Sequence, residues 1–269
     1  MLRLPAVAGQ FYPADPRELT RLIRKFTVDE PGNAKMRVRA CLVPHAGYIY
    51  SGGVAGAVFS RILFPKQVLL LGVRHSPVGE DLAILSEGAW RTPLGDAPVD
   101  EALAQRVKAA CSGLREDSIA HGREHSLEVE IPFLQILDPD FSFVPVAVGT
   151  LCFEELQELG IGLVRVIRES QEEILVVTSS DMNHYEPDET TRIKDAKAID
   201  RMKAVDAKGL FEVCRKEKIS MCGLGPAVVM LTAMKELGIT RGEVVRYATS
   251  GDVNDDRDAV VGYAGMIFA

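Results

Sequence analysis

The chain has 269 residues, 47% of them apolar and 26% charged, with a formal net charge of −7 at pH 7. Such a length approaches the roughly 250–300 residues that one hydrophobic core supports, so the chain can bury a large core without disulfide or metal staples. The acidic balance argues against broad nucleic-acid binding, which needs a basic face, and no stretch reaches the ~18 apolar residues of a membrane-spanning helix.

No internal repeat, low-complexity segment or long Pro/Gly/Ser linker divides the sequence, so residues 1–269 are expected to form a single domain. Short apolar runs alternate with amphipathic segments, the pattern of an α/β fold with a largely parallel or mixed central sheet and helices on both faces. The first helix is expected over 16–27, with Asp15 as N-cap, Pro16 at the first helical position and Glu18 completing a capping box. A strand follows over 37–43. The segment Gly52-Gly53-Val54-Ala55-Gly56 matches neither a dinucleotide fingerprint nor a P-loop and reads as the opening of a closely packed helix. Strands are expected over 68–71 and 82–85, then a helix capped by Asp100 and running to Ala110. A helix over 126–137 must kink or start late because of Pro132. Beyond it come a strand over 141–148, a helix over 154–168 and a strand over 174–178. Helices over 188–204, 206–216 and 226–237 follow, the last stopped by Gly238. Strands over 244–248 and 263–268 close the chain.

Five cysteines (Cys41, Cys111, Cys152, Cys214 and Cys222) form an odd set without CxxC spacing. They are expected to be reduced, mostly as small core residues, in a cytoplasmic protein.

Three of the five histidines fall just after expected strands. His45 follows Cys41-Leu42-Val43-Pro44, His75 follows the 68–71 strand, and His184 follows the 174–178 strand. In open α/β sheets ligands bind beyond the carboxyl ends of the strands, so these imidazoles are placed to converge on one crevice. Imidazole suits iron, copper and zinc, and a thiolate favours softer or borderline ions. Asp181, three residues before His184, is placed either to orient that ring or tune its pKa, or to serve as an N-cap or turn carboxylate. His184 would then act as a general acid/base. His121 reads as a solvent-exposed turn residue. His125 is harder to dismiss, because Glu124 and Glu128 sit beside it.

Several strings resemble one family. They are Pro-Ala-Val-Ala-Gly-Gln-Phe-Tyr-Pro (5–13), Val-Pro-His-Ala-Gly-Tyr-Ile-Tyr-Ser-Gly (43–52) and Glu-His-Ser-Leu-Glu-Val-Glu-Ile-Pro-Phe-Leu (124–134). With them go Thr-Ser-Ser-Asp-Met-Asn-His-Tyr (178–185), Met-Cys-Gly (221–223) and Val-Gly-Tyr-Ala (261–264). Together, in this order, they resemble the MEMO family, whose prokaryotic form is the AmmeMemoRadiSam system protein B. The resemblance implies a fold similar to class III (LigB-type) non-haem iron(II) extradiol dioxygenases. Carried over position by position, it makes His45 and His75 metal ligands. Cys222 then stands where those dioxygenases have a glutamate, and His184 with Asp181 forms the acid/base pair. Iron(II) is the implied cofactor, with copper or zinc as alternatives, and AMMECR1-like and radical SAM proteins are the implied partners. A thiolate in place of the carboxylate changes charge and redox behaviour, so catechol cleavage does not transfer with the fold.

Other signals are discounted. Asp252, Asn254, Asp256 and Asp258 imitate a calcium loop, but Arg257 takes the glycine position and Tyr263 the place of the bidentate glutamate. These residues read as a solvated acidic loop. Trp90 reads as a rim or core aromatic. Three functions follow. The first is an iron-binding redox protein using His45, His75 and Cys222. The second is a peptide- or partner-binding module using the same crevice. The third is a metal-independent hydrolase with Cys222 as nucleophile and His184–Asp181 as its base pair.

Overall fold

Four strands rich in consecutive apolar residues lie side by side in parallel: Ala40–Val43, Ile174–Ser179, Gln67–Val73 and Ser142–Val148. The computed structural model that defines them describes residues 1–27 and 35–269. Nearly every residue in these strands is buried, because helices cover both faces of the sheet. Successive side chains point to opposite faces. Leu69, Leu71, Val144, Val146 and Val176 join the core under Phe153–Glu169 and Leu224–Glu236. Their neighbours Val68, Leu70, Phe143, Leu175 and Val177 join the core on the other face, with Tyr48–Phe59 and Ile131–Leu137.

The sheet continues on both sides with antiparallel pairings. Val260–Phe268 runs against Ala40–Val43, and Gly242–Thr249 and His184–Glu186 pair with it in turn. Leu82–Ile84 runs against Ser142–Val148 and carries the short Arg115–Glu116 strand. The fold is thus a single α/β domain with a mixed central sheet. A second, three-stranded sheet joins Leu2–Arg3, Ala89–Thr92 and Gly95–Pro98, with Gly95 at φ 119° in the hairpin turn.

Most boundaries match the sequence reading, and the exceptions have local causes. The helix expected over 126–137 begins late: Glu128–Glu130 forms a 3₁₀ turn and the α-helix is Ile131–Leu137, with Pro132 in its first turn. Leu224–Glu236 starts two residues earlier than expected and takes Pro226 into its first turn for the same reason. Asp15, Asp100 and Asp206 each cap a helix through the side chain. The glycine-rich segment lies inside the helix Tyr48–Phe59 rather than opening it. Its function is close approach. A Cβ on Gly56 would lie 2.5 Å from the Phe26 carbonyl oxygen, so only glycine lets the Pro16–Phe26 helix pack there. Among the described residues, no helix is long and apolar enough to cross a membrane.

Candidate metal centre

His45 lies two residues beyond Val43, and His75 two residues beyond Val73, at the carboxyl ends of parallel strands. Ser179, the last residue of its strand, pairs in register with Val43 and so reaches the same edge. His125 arrives from another direction, on the loop ahead of the 3₁₀ turn. Ser126 fastens that loop to the His75 strand: its Oγ accepts from Val73 N–H and donates to Val73 C=O, both at 3.0 Å. Glu124 adds a second clamp, accepting from His75 N–H at 2.7 Å, His75 Nδ1 at 2.9 Å and Ser126 N–H at 2.8 Å. The carboxylate of Glu128, buried beside it, gathers the N-terminal segment through Arg3, Ala6 N–H, Val7 N–H and the Tyr12 hydroxyl. That segment seats Phe11 against His125, ring centroids 4.8 Å apart. The strings at 5–13 and 124–134 are therefore two halves of one scaffold.

The result is a cluster of donors. Ligand nitrogens of His45, His75 and His125 all lie within 4.8 Å of one another. The thiol of Cys222, carried to the site by the turn before Leu224–Glu236, lies 3.2 Å from His45 Nε2. Above them opens a cleft of about 670 Å³, whose wall includes Asp181, His184, Tyr185 and Val261.

The electrostatics favour neutral nitrogen donors. Burial pushes His45 well below the usual imidazole range, and the neighbouring His125 and His75 add to the effect. Burial also lowers His125 and His184. Glu124 behaves oppositely. Burial raises it, but hydrogen bonds from His75 and Ser126 outweigh that and hold it at about 2. Asp181 is raised to about 7 by burial, partly offset by the backbone N–H groups of His45 and Ala46. Burial and the Asp181 charge push the Cys222 thiol well up. His75 donates Nδ1–H to a carboxylate that can only accept, so Nε2 is the ring nitrogen that Glu124 does not engage.

The residues expected from sequence are thus brought to one place, but not in every expected relation. Asp181 accepts from His45 N–H at 2.8 Å, and among the described residues no hydrogen bond joins it to His184. His184 sits instead in the strand His184–Glu186, held by Ser220 through its N–H at 2.8 Å and its Nδ1 at 3.0 Å. The Cys–His–Asp relay of a hydrolase is therefore not assembled, since Cys222 touches His45 and Asp181 holds the backbone. His125, whose role the sequence left open, joins the cluster, whereas His184 lines the cleft outside it.

One further reading is corrected. His121 is wholly buried, its ring edge-on to the equally buried Trp90, because the hairpin carrying Trp90 covers it. Trp90 is a core residue, one of the two places the sequence allowed it, with Arg3 stacked 4.0 Å from its ring centroid. The 252–258 acidic segment is solvent-exposed, as expected, and within it Asp252 pairs with Arg192 and Arg257.

A sequence family described as Memo-like protein matches residues 3–267. The chain belongs to the MEMO family. Full-length relatives agree. A MEMO1 family protein of Aquifex aeolicus is 42% identical, the alignment covering 99% of each chain. One from Methanopyrus kandleri is 39% identical over 100% of this chain and 99% of its own. One from Archaeoglobus fulgidus is 40% identical over 99% of each. In fold, this MEMO chain is similar to a solved structure of an uncharacterized protein from Escherichia coli K12. That match has a TM-score of 0.55 at 13% identity and covers 85% of this chain and 99% of the other.

Proposed function

We propose that this MEMO-family chain is a mononuclear non-haem metal protein whose physiological ion is iron(II), with copper or zinc able to take the same place. One observation carries the reading: three imidazole donors, buried at His45, half-buried at His125 and exposed at His75, converge within 4.8 Å beside a thiol. His45 and His75, each with Nδ1 committed to a protein group and Nε2 turned inward, and the Cys222 sulfur would hold the ion, with His125 as a further nitrogen donor. This mixed nitrogen–sulfur set suits iron, copper or zinc and offers nothing to the hard, oxygen-seeking calcium or magnesium. Bound there, iron(II) would supply a redox-active centre for a small molecule entering the cleft.

The chain's own residues would do the rest. Because the Ser220 carbonyl can only accept, His184 donates Nδ1–H to it and keeps an Nε2 lone pair for moving a proton at the mouth of the cleft. Phe11, Tyr185 and Val261 give that mouth an apolar edge. AMMECR1-like and radical SAM proteins as partners in a shared reaction sequence belong to the same proposal. A peptide carrying an anionic group would need a cation to hold it, and no Lys or Arg lines the cleft among the described residues.

The test is oxygen consumption by anaerobically purified, iron-loaded protein, screened against small reductants and aromatic substrates. The redox reading expects iron-dependent uptake that His184→Ala lowers with iron content unchanged. Uptake insensitive to both iron and His184 contradicts it.

A further inference from the structure

Behind His45, on the side away from the cleft, lies a buried polar chain. Ser179 Oγ is 2.8 Å from His45 Nδ1, 2.9 Å from Glu130 Oε1 and 2.7 Å from the Ser126 carbonyl oxygen. Ser179 and Glu130 are both almost wholly inaccessible to water. The second carboxyl oxygen of Glu130 has no hydrogen-bond partner. Such a group is costly to bury as a carboxylate.

Counting protons resolves the chain. A hydroxyl offers one proton and two lone pairs. A carbonyl only accepts, so the Ser179 proton goes to the Ser126 oxygen, at the shortest of the three contacts. Both lone pairs of Ser179 are then left for His45 Nδ1 and Glu130 Oε1. Each of those atoms must bring its own proton. His45 is consequently protonated on Nδ1, and Glu130 is a neutral carboxylic acid. The surroundings agree: burial raises Glu130 well above the usual range, the Ser179 contact offsets this only in part, Asp181 raises it further, and among the described residues no buried cation acts on it. Cys41 and Tyr48, the other titratable groups that feel Glu130, are themselves held protonated by burial. On the opposite side of the ring, His45 Nε2 is left as an acceptor, which suits its 3.2 Å approach to the Cys222 thiol.

We propose that Ser179 and a protonated Glu130 are positioning residues that lock His45 in its Nδ1–H tautomer and so present Nε2 to the donor cluster. The inference deepens the metal reading and relies on His45 as a ligand. Its primary test does not involve metal. In metal-free protein labelled with ¹⁵N-histidine, His45 is expected to show the Nδ1–H tautomer. Ser179→Ala is expected to admit the Nε2–H form, and Ser179→Thr, which keeps the hydroxyl, to restore the parent spectrum. Infrared difference spectra of ¹³C-glutamate-labelled parent and Glu130→Gln are expected to show a carboxylic-acid C=O band at neutral pH that the variant lacks. Zinc(II) titration, as a redox-silent probe, should weaken about 10- to 100-fold in Ser179→Ala, the cost of losing an outer partner of a metal-bound histidine. An Nε2–H tautomer in the parent, or a carboxylate signal for Glu130, overturns the proposal. A parent that passes both spectra but binds no zinc upholds this arrangement and overturns the metal reading instead.

Discussion

Glu124 grips His75 at two points, accepting from its backbone N–H at 2.7 Å and its ring Nδ1 at 2.9 Å. One carboxylate thus fixes both where the loop turns and which nitrogen of the ring faces the cluster. Carboxylate partners of this kind commonly set the tautomer and basicity of metal-binding histidines. Replacing Glu124 by Ala should weaken zinc(II) binding by about 10- to 100-fold, read by titration. Unchanged affinity would mean that the clamp is incidental to the site.

The buried Arg3–Glu128 pair, 2.7 Å apart, holds the N-terminal segment on the site. Removing Glu128 leaves an uncompensated buried guanidinium, for which about 3–5 kcal/mol of destabilisation is expected. Glu128→Ala should therefore lower the denaturation midpoint sharply and speed amide exchange over residues 3–12. A loss within about 0.5 kcal/mol, the usual scale of surface changes, would contradict the role assigned to this pair.

Acid sensitivity should trace in part to His121. Burial, with help from the Arg3 charge, lowers its pKa from 6.5 to about 4; the charges of Asp117 and Glu124 offset this only in part. The unfolded chain therefore binds a proton that the folded chain refuses. The stability contribution is complete above pH 6.5 and is lost as pH falls toward about 4. The pKa difference corresponds to about 3 kcal/mol. His121→Phe should remove that part of the pH dependence in denaturant titrations while folding comparably at pH 8. A variant with the parent's full slope between pH 6.5 and 4 would exclude His121 as the source.

Gly56 makes a sharper packing prediction. Alanine at an ordinary helical glycine gains up to about 1 kcal/mol in helix propensity. Here the added Cβ would meet the Phe26 backbone at 2.5 Å, so Gly56→Ala should instead destabilise by about 1–3 kcal/mol through overpacking. A stabilised variant would show that the two helices can separate at no cost.

How much of this was legible in the sequence depends on the kind of signal. The strand-end rule located His45, His75 and His184, because parallel strands built from consecutive buried apolar residues have only one edge at which a loop can hold a ligand. Cys222 lies just ahead of a helix rather than after a strand, and only the motif resemblance singled it out. Glu124 and Glu128 beside His125 hinted at a clamp, but which atoms they hold depends on Val73 and on the N-terminal segment, both distant in sequence. His121 was misplaced for the same reason: its burial comes from the hairpin carrying Trp90, whose strands of four residues each are too short to announce themselves by alternation. Ser179 and Glu130 were missed because a serine ending a strand and a glutamate in a turn look ordinary until the fold brings Ser179 to His45 and Glu130 to Ser179.

The most direct test of the metal centre is an anaerobic iron(II) titration of the parent and of His45→Ala, His75→Ala, His125→Ala and Cys222→Ala. One-to-one binding by the parent is predicted. The His45, His75 and Cys222 variants should each lose more than the roughly 10- to 100-fold that an outer partner costs, and His125→Ala should show a measurable but smaller loss. A parent that takes up no iron, or His45, His75 and Cys222 variants that bind as well as it does, would contradict the account.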